Sequence, residues 1–244
     1  MKKLFYLFFF FFFFILFSNL AYADGYWLEL ESSWQKNDTV MIKIRYGGVN
    51  EKNERYIKTG NDLNKMKDFI VTVVDSRGIK TNLIIEQKND YWVGYFIPKK
   101  DGIYNVYAND NNLPVVEREN YKQNIKPTQY LQTKFIIGSN NKNINVENKF
   151  SYLNLNIDTI NNKALISAYI DGEKVKKGTK LRIFLPNNKD VELLTDEIGN
   201  AQIKLILKGQ YIVRLDKNIP IYGQLNGKEY FSERHRSDYS FVVK

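Results

Sequence analysis

From residue 27 onward, apolar residues recur in short alternating or β-branched stretches between clusters of Asn, Asp, Gly and Lys. That rhythm has the two-residue period of a strand, punctuated by turn formers. It predicts strands at 27–30, 40–46, 69–75, 82–86, 91–97, 104–108 and 130–137 in the first half. In the second half it predicts 152–157, 165–170, 181–185, 191–194, 201–207, 211–215 and 239–243. Asp75-Ser76-Arg77-Gly78 places Asp and Gly where a type I turn favours them, and Lys99-Lys100-Asp101-Gly102 supplies a residue free to take positive φ. Residues 47–67 are charged and poorly patterned, and read either as a surface loop or as a short helix around 62–67. No segment sustains a helical period of apolar positions, so helix-rich architectures fit poorly.

Residues 139–148 are rich in Asn and nearly empty of apolar side chains, the composition of an interdomain linker. They divide the chain into an N-terminal domain at 24–138 and a C-terminal domain at 149–244. Each half carries a Gly-x-Tyr step at the corner before a late strand, Gly102-Ile103-Tyr104 and Gly209-Gln210-Tyr211. In immunoglobulin-like sandwiches such a tyrosine hydrogen-bonds to backbone just upstream. Seven short strands per half with matching corners predict an all-β chain of two tandem immunoglobulin-like β-sandwich domains.

Ahead of the first strand stand Lys2-Lys3, an apolar block at 4–17 with unbroken phenylalanine at 8–14, and Ala21-Tyr22-Ala23. A basic start, an apolar core and a small-residue cleavage site make an export signal at 1–23 and a new N-terminus at Asp24. The block is shorter than the roughly 20 apolar residues that span a bilayer, while stretching it to Ala23 permits an uncleaved anchor. The expected location is periplasmic or secreted, peripheral to a membrane at most. The chain has no cysteine, which removes disulfides, thiol nucleophiles and thiolate metal sites together. Stability must come from burial and sheet pairing, for which 17 tyrosines are good material.

The formal charge is +9, or +7 without Lys2 and Lys3. The lysines are scattered with no basic block, which describes a solvated surface, and an exported chain has no nucleic-acid partner to meet. Catalytic material is sparse. His235 is the single imidazole, and nucleophile, phosphate-loop and metallohydrolase spacings are absent. Glu29 with Glu31 and Asp196 with Glu197 are carboxylate pairs, but they read as strand-edge and turn residues without the opposed geometry of sugar hydrolysis. The chain is expected not to be an enzyme. Asn109-Asp110-Asn111-Asn112 lacks the spaced acids of a calcium loop and reads as a solvated hairpin turn. His235, flanked by Arg234 and Arg236, reads as a neutral imidazole, which suits metal ligation and fits equally a surface loop leading into the last strand.

Tyr26-Trp27-Leu28-Glu29 directly after the export signal, together with Gly209-Gln210-Tyr211 and a final strand at 239–243, resembles a family of exported proteins associated with nickel uptake. The resemblance spans the region from Asp24 onward. It implies two immunoglobulin-like β-domains, a periplasmic accessory role beside a membrane transporter component, and nickel or another divalent metal as the cargo. Asp24 and His235 are then the candidate ligands. The family often has a histidine just before the aromatic-Trp strand, where this chain has Asp24-Gly25; a carboxylate and amine there form a harder site, better suited to Mg, Ca or Mn than to nickel. A second reading, from the residues alone, is an envelope or cell-wall module binding carbohydrate or protein through Tyr26, Trp27, Trp34, Tyr91 or Trp92. Trp92 alternates with Tyr91 and is expected to face the core.

Overall fold

The structure, a computed structural model, describes residues 24–138 and 151–244. The expected export signal at 1–23 and the expected linker at 139–148 lie outside the described residues. The chain is all-β. In the first half, strands β1 (Gly25–Glu31), β2 (Val40–Val49), β3 (Arg55–Ile57), β4 (Ile70–Val74), β5 (Lys80–Leu83), β6 (Ile85–Gln87), β7 (Trp92–Phe96), β8 (Gly102–Asp110) and β9 (Ile125–Ile137) follow in order. The second half adds β10 (Leu153–Ile160), β11 (Lys163–Ile170), β12 (Glu173–Lys174), β13 (Lys180–Phe184), β14 (Asp190–Leu194), β15 (Asn200–Lys204), β16 (Gly209–Leu225) and β17 (Lys228–Val243).

Pairing sorts these strands into three sheets. A five-stranded sheet runs β1-β2-β7-β6 with β3 beside β2, and a smaller one runs β10-β11-β12 with β15 beside β11. An eight-stranded sheet runs β14-β13-β16-β17-β9-β8-β4-β5. Its midpoint is a parallel pairing of β17 with β9, where Ser232 faces Ile125 and Tyr239 faces Gln132. One sheet therefore passes through both halves of the chain.

Strand alternation explains the burial. Along β2, Val40, Ile42, Ile44 and Tyr46 are buried while Met41, Lys43 and Arg45 are only half covered. With Leu28, Leu63, Met66, Val106 and Leu131 they form the first core. The second gathers Leu155, Ile157, Ile166, Leu181, Val213 and Tyr211. Each such aliphatic side chain, fully buried, contributes about 1.5–3 kcal/mol.

Of the two readings of residues 47–67, the short helix is present as a 3₁₀ helix, Gly60–Met66, pinned by buried Leu63 and Met66, with the end of β2 and strand β3 ahead of it. Two further expectations are revised. The strands expected at 211–215 and 239–243 are the inner parts of a long hairpin, β16–β17, whose turn is Asn226-Gly227 with both residues at positive φ. Asn-Gly is the preferred pair for a two-residue hairpin turn. Asp110 closes β8 as a buried residue, because its register partner Gln129 lies in the sheet interior.

Candidate functional site

Asp24 is tied down by aromatic hydroxyls. Tyr46 donates to its Oδ2 at 3.0 Å, Tyr56 donates to Oδ1, and Lys58 lies 3.8 Å away. Its carboxylate in turn pushes the Tyr56 phenol up to about 12, mainly through that hydrogen bond. His235 stands in β17 and not in a loop. Its Nδ1 shares a 2.9 Å hydrogen bond with the Tyr130 hydroxyl and its Nε2 lies 3.3 Å from Glu233. The ring stacks on Tyr130. Burial lowers its pKa, with Glu233 opposing and Lys126 assisting. The two candidate ligands thus occupy separate clusters with no partner in common. Among the described residues no group of three or more His, Asp and Glu side chains is arranged to hold a metal.

The Gly-x-Tyr steps have matching geometry. Tyr104 donates to the Lys100 carbonyl at 2.7 Å, and Tyr211 donates to the Leu207 carbonyl at 3.0 Å while accepting from the Leu207 N–H at 3.1 Å. Gly102 and Gly209 precede them at φ 144° and 123°, a region that side chains disfavour.

The carboxylate pairs are committed to neighbours. Glu29 accepts from Arg45 and Trp27, both at 2.8 Å, and Glu31 pairs with Lys43. Asp196 caps its own turn through the Ile198 and Asn200 N–H groups, and Glu197 pairs with Lys177. Of the aromatics, Trp27 is buried, Trp92 donates to the Leu63 carbonyl at 2.9 Å, and Trp34 takes φ 62° against Phe135. A different aromatic group lies near the hairpin tip, where exposed Tyr121 and Tyr222 flank half-buried Phe231 at 5.7 and 5.3 Å.

The sequence reading missed the cleft where β1, β2 and β3 meet β13, β14 and β16. It has a volume of about 390 Å³ and three guanidinium groups in its lining, Arg55, Arg182 and Arg214. Arg182 pairs with Asp190 at 2.6 Å and Arg214 with Asp238 at 2.7 Å. Among the described residues Arg55 has only neutral acceptors: Nε donates to Asn188 Oδ1 at 3.3 Å and Nη1 to Gln210 Oε1 at 3.1 Å. Its guanidinium lies 5.2 Å over the Trp27 ring. Burial pulls its pKa below the ordinary arginine value, Glu29 opposing from a distance. These partners stand 133 and 155 residues from Arg55 along the chain, so no local pattern announces them.

No protein-family model and no curated protein matches the chain. Among solved structures it is similar to native alpha-2-macroglobulin from Escherichia coli spanning domains NIE-MG1, at 8% identity over 92% of this chain and 99% of that one, with a TM-score of 0.23. It is also similar to SGBP-B of the Bacteroides ovatus mixed-linkage glucan utilization locus, solved with a mixed-linkage heptasaccharide. That match has 11% identity over 90% of this chain and 61% of that one, with a TM-score of 0.17. At these scores neither likeness bears on function.

Proposed function

We propose that this protein is an exported, non-enzymatic binding protein of the cell envelope, periplasmic or secreted, acting as accessory to an uptake system with a membrane transporter component. The observation that carries the binding reading is the cleft at Arg55, a preformed concavity whose walls come from both halves of the chain. Among the described residues its one lining carboxylate, Asp190, is bonded to Arg182, and burial raises the pKa of its phenol, Tyr26, above the ordinary value. Such a lining holds a ligand and offers no base or nucleophile to transform it.

The uptake role rests on the family resemblance at 26–29, 209–211 and 239–243, which also names nickel or another divalent metal as cargo. Since Asp24 and His235 sit apart, a metal would need further donors from a partner. Deleting the gene should slow growth at limiting nickel and leave growth in replete medium unchanged; equal growth in both would remove the metal role. The exposed rings of Tyr121 and Tyr222, set against half-buried Phe231, favour a second reading, envelope glycan binding by ring stacking. Glycan-array binding that disappears in Tyr222→Ala would establish it.

A further inference from the structure

We propose that the Arg55 cleft binds a small monocarboxylate of sugar-acid size, with the Arg55 guanidinium as the anchor for its carboxylate. The inference rests on the reading of the protein as a binding protein and names the ligand class of that site.

Charge balance selects the ligand. Arg182 is neutralised by Asp190 and Arg214 by Asp238, which leaves Arg55, among the described residues, as the one cation of the cleft without a carboxylate partner. A half-buried guanidinium facing only amide oxygens has lost hydration without gaining a counter-ion, a cost that a single anionic group would relieve. Two of its five N–H donors are used, so donors remain for a carboxylate. A phosphate carries about two charges near neutrality and would overshoot the balance. A bare divalent cation would meet net positive charge.

Geometry sets the size and holds the anchor still. Asn53 at φ 61° and Asn188 at φ 63° face each other across the cleft, and Asn188 Nδ2 donates to the Asn53 carbonyl at 2.9 Å. The same Asn188 orients Arg55 through its Oδ1. The Trp27 ring backs the guanidinium and restricts its rotamers. Gly25 keeps the wall open, since a Cβ there would come within 2.8 Å of Arg214 Nη2. A cavity of about 390 Å³ lies at the small end of ligand pockets and suits a body of monosaccharide dimensions.

The test is isothermal titration of the protein recovered from expressing cells with D-glucuronate, D-glucose and inorganic phosphate. Glucuronate should bind, with glucose and phosphate at least about tenfold weaker, the factor that one charge-assisted hydrogen bond supplies. Arg55→Gln should lose that binding, and Arg55→Lys should keep only part of it. Should Arg55→Gln fail to fold, Asn188→Asp supplies a competing carboxylate beside Arg55 Nε and should abolish binding in a folded protein. Glucose binding as tightly as glucuronate, phosphate binding tighter, no glucuronate heat at millimolar concentration, or full affinity in either loss variant would each overturn the inference. The envelope reading is tested separately by fractionation, which glucuronate binding does not affect.

Discussion

Arg214 and Asp238 face each other across β16 and β17 with Nε 2.7 Å from Oδ1, and both side chains are buried, Arg214 keeping only a small exposed area at the cleft wall. Gln129 completes the group by donating to Asp238 Oδ2 at 2.8 Å from β9, across the parallel seam. The pair thus stitches the three central strands of the eight-stranded sheet. Removing one partner strands a buried charge, which costs about 3–5 kcal/mol, whereas replacing both by apolar residues is far milder. Asp238→Ala should therefore lower the urea unfolding free energy by that amount, and adding Arg214→Met should restore much of it. Equal losses in the single and double variants would contradict the assignment.

The two Gly-x-Tyr corners differ in one bond. Tyr104 makes a single hydrogen bond to backbone, whereas the Tyr211 hydroxyl both donates to and accepts from Leu207. Tyr104→Phe should cost about 1 kcal/mol, and Tyr211→Phe roughly twice that, because the Leu207 N–H also loses its partner. Paired urea melts decide this, and a larger loss at Tyr104 would reverse the order.

What the sequence revealed of this fold followed from period. Strands such as β2 alternate cleanly because one face is buried, and their positions were legible within a few residues. The outer half of the β16–β17 hairpin was not, since its residues on β16 are mostly exposed and those on β17 mostly half covered, so that no clean alternation results. Its turn pair, Asn226-Gly227, is a favoured hairpin signal that the sequence reading did not use. Asp24 and His235 were visible as chemistry, but their neighbours Tyr56 and Tyr130 come from other strands. Arg55 gave no signal at all. Its meaning depends on Asn188 and Gln210, which only tertiary packing brings to it.

Asp110 gives the protein a pH dependence opposite to that of a salt-bridged acid. Burial pushes its carboxyl up to about 6, with the Asn112 N–H bond opposing and Asp68 adding to the rise. Oδ2 has no hydrogen-bond partner among the described residues. The folded chain therefore holds a proton that the unfolded chain releases near pH 4, so this residue's contribution is whole below pH 4 and is lost as pH rises through 6. The loss is on the order of 2–3 kcal/mol. Asp110→Asn, which keeps the acceptor for Asn112, should match the wild type near pH 4 and exceed it in stability at pH 7. A gap that narrows with rising pH would refute this.

His235 has the reverse sign. Because the chain has a single histidine, its ring protons can be followed by NMR without assignment. Burial disfavours the imidazolium, so the midpoint should lie below the usual 6.5. An unfolded chain accepts the proton first as pH falls, so stability is whole above 6.5 and drains below it. Glu233 is the group resisting this shift, through its charge and its contact with Nε2. Removing that charge with Glu233→Gln should therefore move the midpoint lower still and steepen the acid loss of stability. A midpoint that rises in Glu233→Gln would mean that the carboxylate does not face the ring in solution.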